Sequence, residues 1–187
     1  ADSKKVGNYR SSGASDATAA ASVLLGCPTF PCRGPCRLPQ TDPQSTPVLM
    51  VASDALSRYG FGDGHPFGPD RQEAFLRELR RSPAYRQLRI ADPRVAERDE
   101  LEAFHHREYV DLVIQKSAAG RGYLDVGDTP ASKGIFEASS LVVGGTLLAV
   151  EEIMGGRARR GFIPIAGLHH ASRTHAAGFC VFNDCGI

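Results

Sequence analysis

The passage from an apolar run into a histidine pair limits the fold of this chain more than any other feature. Residues 161–166, Gly-Phe-Ile-Pro-Ile-Ala, predict a short buried strand, and a glycine turn then leads to His169 and His170. A second apolar run, residues 48–52, also predicts a buried strand, and helical patterns separate the two runs. Strands separated by helices predict an α/β domain with a parallel β-sheet and flanking helices. Ligands bind at the carboxyl ends of the strands in such sheets, which is where the histidine pair falls.

Three helices are predicted between these strands, over residues 70–81, 99–116 and 129–154. The third is apolar round most of its surface and rich in small residues, so we expect it to lie buried against close neighbours. A short edge strand is predicted around Ile90, before an Asp-Pro turn. The apolar faces of the first two helices are predicted to consist of Phe75, Leu76 and Leu79, and of Leu101, Phe104, the aliphatic part of Glu108 and Leu112.

The first 46 residues differ in composition from the rest of the chain. Residues 1–46 are rich in Ser, Ala, Gly, Pro and Thr, and they predict a low-complexity or disordered extension ahead of a domain at 47–187. A zinc site usually needs four ligands, so Cys27, Cys32 and Cys36 favour a loop of reduced thiols over a metal site. Stoichiometric zinc in this region would instead indicate a separate metal or interaction module.

Charge and hydropathy favour neither nucleic acid nor a membrane as a partner. The 22 Lys and Arg residues nearly balance the 21 Asp and Glu residues, for a net charge of +1, so nothing favours direct binding of nucleic acid. The longest apolar stretch, residues 141–150, is interrupted by Gly-Gly-Thr and is shorter than the roughly 20 residues that span a bilayer. No membrane segment is therefore predicted.

The closing string, residues 167–187, is the most specific motif. After the histidine pair it continues through Gly178-Phe179-Cys180 to Asn183-Asp184. It resembles the active-site loop of the zinc-dependent histone deacetylase superfamily, and its Pro-Ile-Ala-Gly-Leu-His-His form is most similar to bacterial acetoin-utilisation members. The resemblance covers about residues 48–187, since three further segments match in order: Tyr59 with 64–66 and 69–71, 104–110, and 128–136.

The resemblance implies an arginase/deacetylase-like fold and a zinc-dependent hydrolase. Its substrate would be an acetylated lysine in a protein or an acetylated small amine. In the family, zinc polarises the acetyl carbonyl and a water. His169 matches a histidine that assists electrostatically, and His170 matches the general base and acid. The pair could also be ordinary turn residues.

Four more residues match substrate-binding positions of the family. Gly178 corresponds to a glycine lining the substrate tunnel, and Phe179 to an aromatic wall that grips the lysine methylenes. Asp128 corresponds to a rim aspartate that binds the substrate backbone, and Arg71 to an arginine that holds product acetate. Each has a plainer interpretation: Phe179 as core, Asp128 as the cap of a helix starting near Thr129, and Arg71 as the partner of a surface carboxylate.

The family's zinc ligands are an Asp-x-His pair, on the strand expected to follow residue 187, and a later Asp. We therefore expect no Asp-x-His pair and no metal ligand within this sequence. The sheet is expected to be incomplete at the C-terminus, and the chain to be marginally stable and inactive alone. The alternative is a truncated, non-catalytic homologue that binds acetylated ligands or a full-length partner. A bacterial source would imply a cytoplasmic protein, and the oligomeric state is left open.

Overall fold

A three-stranded parallel sheet forms the centre of the fold. The computed structural model describes residues 47–62 and 64–187. The sheet order is β2-β1-β3, with β1 at Val48–Val51, β2 at Leu88–Ala91 and β3 at Gly161–Phe162. The predicted α/β class with a parallel sheet and flanking helices is confirmed. The predictions for residues 1–46, including the three cysteines, lie outside the described residues.

The central strand is apolar because helices cover both of its faces. Successive side chains of a strand point to opposite faces. Leu49 and Val51 pack on one side with residues of a long helix and the turn after it, whereas Met50 packs on the other side with Leu76. Leu49, Met50 and Val51 have no exposed surface. A strand buried on both faces carries a continuous apolar run, which is why the sequence predicted this strand correctly.

The third strand is shorter than predicted. Only Gly161–Phe162 pair with β1, and Phe162 is 46% exposed, so the prediction of a buried strand over residues 161–166 is wrong. Pro164 has no backbone N–H to donate to a neighbouring strand, and the chain turns there instead. Residue Ile165 still reaches the main core.

The first predicted helix is confirmed as α1, Asp70–Arg81. It follows Pro69 and ends at Ser82, whose hydroxyl accepts a hydrogen bond from Ala84 N at 3.2 Å. Its buried face is narrower than predicted, because Gln72 and Leu76 are buried whereas Phe75 is 37% exposed.

The predicted helix over residues 99–116 is two helices, α2 at Arg98–Glu102 and α3 at Arg107–Ala119. Between them His105 is buried, and its Nε2 accepts a hydrogen bond from Asn183 N at 2.9 Å. These long-range contacts turn the chain where local pattern predicts continuity. The predicted face is partly wrong too. Leu101 is buried as expected, but Glu108 and Leu112 are exposed. The buried residues of α3 are Tyr109, Val110, Val113 and Ser117.

The long helix, α4, spans Ile135–Met154 and starts later than the predicted residue 129. It follows Gly134, which has a φ of 84°, and ends at Met154, directly before Gly155, as predicted. Its nine buried residues lie between Ile135 and Ala149 and include most of its small residues, in agreement with the prediction. At Gly144 an added Cβ would lie 2.0 Å from Arg94 O, so only glycine allows this approach. None of the helices within the described residues is both long and apolar enough to cross a membrane.

Candidate active site

Four of the predicted site residues line one cavity of about 400 Å³. Arg71 enters it from α1, His169 and His170 from the loop that follows β3, and Gly178 from the turn beyond. The rest of the wall comes from neighbouring residues of α1, from Phe162 and residues 164–168, and from Phe67 and Cys180. The sheet therefore brings together side chains that lie about 100 residues apart in the sequence.

The loop before the histidine pair is held by a buried carboxylate. Asp184 accepts hydrogen bonds from Gly167 N at 3.1 Å and from Leu168 N at 2.5 Å. Asp184 also accepts a hydrogen bond from the Thr146 hydroxyl in α4, at 2.7 Å. Asp184 is 4% exposed, so these bonds satisfy a charge that would otherwise be costly to bury. The sequence pattern predicted no role for this aspartate.

The residue before it fixes the backbone of the histidine pair itself. The Asn183 side chain donates from Nδ2 to His169 O at 3.1 Å and to Ala171 O at 2.8 Å. This role was also missed. An Asn-Asp pair directly after the apolar run Val181-Phe182 is the available signal, because polar side chains in a buried segment must bond to nearby backbone.

The two imidazoles lie side by side. Their ring centroids are 4.3 Å apart and their planes differ by 33°. His169 Nδ1 lies 2.9 Å from Gly167 O. A carbonyl oxygen can only accept, so Nδ1 carries the hydrogen and Nε2 of a neutral His169 ring is left as an acceptor. Both side chains are exposed to the cavity and to solvent, which suits groups that exchange protons.

Gly178 packs directly against this pair. Its φ is 53°, and a Cβ at this position would lie 3.0 Å from His170 Cγ. Both facts require glycine, since L side chains rarely adopt this backbone conformation and the imidazole occupies the space. Gly178 also lines a second cavity, so it separates the two.

Phe179 does not line the histidine cavity but adjoins it. Its φ of 68° is left-handed, a conformation that costs a non-glycine residue about 1 kcal/mol. Both backbone groups are held: its N–H donates to Thr129 Oγ1 at 3.2 Å, and its carbonyl accepts from Tyr59 OH at 2.6 Å. The ring meets His65 edge to face at 4.7 Å. The plain interpretation as core is only half right, because Phe179 is partly exposed.

The buried Tyr59 hydroxyl holds the turn at Phe179 through hydrogen bonds to its backbone. Tyr59 is fully buried, and its hydroxyl also accepts a hydrogen bond from Val181 N at 3.1 Å. Burial raises the pKa of the Tyr59 phenol well above its ordinary value, so the hydroxyl keeps its hydrogen for the Phe179 carbonyl.

Asp128 lines the second cavity, of about 340 Å³, together with His175 and Gly178. It does not cap a helix that starts at Thr129, because α4 begins only at Ile135. Its side chain is exposed, and its carbonyl accepts from His65 Nε2 at 3.2 Å.

The loop that carries Asp128 is built on Asp125. One Asp125 oxygen accepts from the backbone N–H groups of Gly127, Asp128 and Thr129 at 2.9 to 3.1 Å. Its other oxygen accepts from Thr129 Oγ1 at 2.6 Å. Partial burial raises the pKa of the Asp125 carboxyl. Interactions with the Asp128 side chain, the Thr129 hydroxyl and the backbone N–H groups together outweigh burial and hold the pKa below its ordinary value. Asp125 is therefore ionised at neutral pH.

Arg71 packs over an aromatic ring. Its guanidinium lies 4.5 Å from the centroid of Phe67, within cation–π distance. In residues 47–62 and 64–187 Arg71 makes no ion pair, so the predicted alternative of a surface carboxylate partner is not found there. Its charge faces the histidine cavity.

The described residues do not fit a zinc ion by themselves. Within them, no three His, Cys, Asp or Glu side chains come together as a metal-binding group. One Asp-x-His triplet does occur, residues 63–65, so the expectation that the sequence has no such pair is wrong. Asp63 lies outside the described residues. Both ring nitrogens of His65 are engaged, since Nδ1 accepts from Phe67 N at 3.0 Å and Nε2 donates to Asp128 O.

Known proteins with similar sequences belong to the family that the motifs of this chain resemble. Residues 65–187 match the family model described as "Histone deacetylase domain". The "Acetoin utilization protein AcuC" of Bacillus subtilis (strain 168) is 34% identical over 146 residues, which cover 74% of this chain and 38% of AcuC. AcuC of Staphylococcus aureus (strain MSSA476) is 32% identical over 150 residues, covering 76% of this chain and 39% of that protein.

A solved structure confirms the fold. The "Crystal Structure of HDA15 HD domain" aligns with a TM-score of 0.68 at 25% identity, and it covers 75% of this chain and 42% of that one. The chain spans about two-fifths of the length of the curated relatives that it matches. The predicted arginase/deacetylase-like fold and the predicted superfamily are both confirmed. This chain belongs to the histone deacetylase family.

Proposed function

We propose that this chain carries the proton-transfer and substrate-binding half of a zinc-dependent deacetylase. The observation that carries the proposal is the convergence of His169, His170, Gly178 and Arg71 on one cavity. Family membership supports acetyl-amide hydrolysis as the reaction class. The described residues hold no metal-binding group, so we propose that the zinc ligands belong to other parts of the whole protein.

Amide hydrolysis needs a base to take a proton from the attacking water and an acid to protonate the leaving amine. In the proposal, His170 does both in turn, and His169 assists electrostatically beside it. His169 suits the assisting role because its Nδ1 hydrogen is already donated to Gly167 O, which fixes the ring and its tautomer. The bonds from Asn183 to His169 O and Ala171 O hold both residues in this relation.

The substrate is proposed to be acetyl-lysine in a protein or a related acetylated small amine. Its methylenes would pack against the Phe179 ring and its scissile amide would face Gly178. Asp128 would accept hydrogen bonds from the substrate backbone at the rim. Arg71 would hold the acetate product, since a guanidinium matches a carboxylate in geometry and charge.

The test is hydrolysis of an acetyl-lysine peptide by the protein expressed from its complete gene and loaded with zinc. We expect His170→Ala to lower kcat/KM by about 10² to 10⁴ fold, the usual effect of removing a general acid–base. His169→Ala is expected to lose less. The matched control is His106→Ala, since His106 is exposed and lies outside both cavities. Equal activity of His170→Ala and wild type would exclude the assigned role.

The 187-residue chain by itself is proposed to be inert. With zinc added, it is expected to leave the same peptide intact, and measurable turnover would overturn this part of the proposal. The non-catalytic alternative, a truncated homologue, predicts instead that the 187-residue chain itself binds an acetylated peptide or a full-length partner without hydrolysis. Isothermal titration and a turnover assay on this chain test that alternative.

A further inference from the structure

We propose that Thr129 is a positioning residue that sets the Phe179 ring in the substrate tunnel. The inference rests on the proposed function, because it takes Phe179 as the wall that grips the substrate methylenes. Thr129 does not touch the substrate in this proposal. It acts through the Phe179 backbone, 50 residues away in sequence.

The orientation of the Thr129 hydroxyl follows from its partners. Thr129 is fully buried, and its Oγ1 lies 2.6 Å from Asp125 Oδ2 and 3.1 Å from Asp128 Oδ1. Carboxylates only accept, so the single hydroxyl hydrogen is used on this side, mainly by the nearer Asp125. The Oγ1 lone pairs are then left to accept the N–H of Phe179 at 3.2 Å.

The Phe179 ring depends on this bond because its backbone is left-handed. A residue at φ 68° returns readily to negative φ unless other groups hold it, and such a rotation would swing the side chain away. Tyr59 holds the carbonyl and Thr129 holds the N–H, so the peptide groups on both sides are fixed. With them fixed, the ring keeps its contacts to His65 at 4.7 Å and Phe67 at 6.4 Å.

The same hydroxyl joins the tunnel wall to the rim. Asp125 accepts both the Thr129 hydroxyl and the Asp128 N–H, so one carboxylate orders the rim aspartate and the threonine together. Asp128 is the proposed contact of the substrate backbone, and Phe179 is the proposed contact of the substrate methylenes. The distance between them is therefore set by Thr129 and Asp125 rather than by either contact alone.

The experiment compares Thr129→Val with Thr129→Ser in the protein expressed from its complete gene. Valine keeps the shape and loses the hydroxyl, whereas serine keeps the hydroxyl. The first measurement is amide hydrogen exchange at Phe179: we expect about tenfold faster exchange in the valine variant, in line with the loss of one hydrogen bond, and wild-type exchange in the serine variant.

The second measurement is the preference of the enzyme for chain length. It is the ratio of kcat/KM for an acetyl-lysine peptide to kcat/KM for the matching acetyl-ornithine peptide, which is one methylene shorter. One methylene in an apolar pocket is worth about 10- to 200-fold in kcat/KM. We expect the valine variant to lose about fivefold or more of this preference, and the serine variant to retain it. Loss of global stability alone would lower both rates together and leave the ratio unchanged.

The outcomes are distinguishable. If the wild type hydrolyses neither peptide, the proposed function fails, and exchange at Phe179 still tests the hydrogen bond. Unchanged exchange in Thr129→Val overturns the inference, as does faster exchange with an unchanged ratio. If the valine variant does not fold, Thr129→Ala removes the same hydroxyl with a smaller side chain and is held to the same two results.

Discussion

Gly178 and Phe179 are consecutive residues with left-handed backbone angles, and together they turn the chain between the two cavities. The first is a glycine because of its contact with His170, and the second keeps a phenylalanine because hydrogen bonds from both sides hold it. A backbone of this kind is unfavourable in isolation and persists only where surrounding structure determines it. The strain is therefore located at the residues that are proposed to contact the substrate.

Gly178→Ala is predicted to impair catalysis more than stability. The added Cβ would lie 3.0 Å from His170 Cγ, so the imidazole must shift by a few tenths of an ångström relative to His169. Because small misplacements of a reacting group reduce rate steeply, we expect kcat/KM to fall by about tenfold or more. The measurement is steady-state hydrolysis of an acetyl-lysine peptide, with the melting temperature recorded in parallel.

Gly122→Ala is the matched control for this prediction. Gly122 also has a positive φ, 83°, but nothing lies within 4 Å of the added Cβ. It should share the backbone strain of the Gly178 variant, about 1 kcal/mol, and keep the activity. Similar activity losses in both variants would show that strain, and not the histidine contact, is responsible.

At the scale of the elements, α4 is placed by a pair of adjacent glycines with different surroundings. The Gly144 Cβ position is filled by backbone of the segment before α2, with Arg94 O at 2.0 Å and Ala96 N at 2.7 Å. The same segment bonds to the helix through Ala96 N and Ser140 O, at 3.0 Å. The Gly145 Cβ position meets only side chains, at 3.4 Å and beyond.

Gly144→Ala is therefore predicted to destabilise the fold although alanine favours helices. Backbone atoms cannot rotate out of the way, so the helix must shift, and overpacking of this kind costs about 1–3 kcal/mol. Gly145→Ala should be neutral, or stabilising by up to about 1 kcal/mol, because the helix gains propensity without a clash. Urea unfolding of the two variants measures the difference, and equal midpoints would contradict it.

The elements that the sequence predicted well are those fixed by local pattern. β1 and α1 carry their own apolar periodicity and end signals, and both were found within a residue or two. The break between α2 and α3 could not be predicted, because it depends on His105 meeting Asn183, 78 residues later. The late start of α4 has a similar cause. Thr129 does not start the helix, because its hydroxyl bonds to Asp125 and to Phe179 N, 50 residues later.

In the candidate site, too, residues in local motifs could be predicted, and residues that act through long-range contacts could not. The histidine pair, Gly178 and Arg71 were predicted from motif strings and share one cavity. The residues that hold them were not predicted, since Thr129 and Asp184 act through bonds to backbone that is 50 and 16 or 17 residues away. A side chain that bonds to distant backbone leaves no spacing pattern in the sequence.

At the scale of the whole molecule, His105 ties the α2–α3 corner to the closing segment. It is 2% exposed and packs against Phe182 and Tyr109 at ring distances of 5.2 and 5.3 Å. Its Nε2 accepts from Asn183 N, so Nδ1 carries the hydrogen of the neutral ring. Burial lowers the pKa of His105 to about 4, and the nearby carbonyls of Ser172 and Arg173 only partly offset this.

This pKa predicts that the fold loses stability as pH falls from about 6.5 towards 4. In that window the unfolded chain takes up a proton at His105 and the folded chain does not, so protonation favours unfolding. The loss is present only below the unfolded pKa and is complete near the folded one. At about 1.4 kcal/mol per pH unit, it amounts to at most about 3 kcal/mol.

The measurement is the urea midpoint between pH 7 and pH 4 for wild type and His105→Gln. Glutamine does not titrate, and its side-chain oxygen can still accept from Asn183 N, so the variant should show a flatter dependence on pH even where it is less stable. Acidic groups and any bound metal contribute equally to both proteins, and the difference between them isolates His105. His106→Gln, an exposed neighbour, should keep the wild-type slope. Parallel curves for wild type and His105→Gln would mean that the buried ring is protonated in the folded protein, against the burial argument.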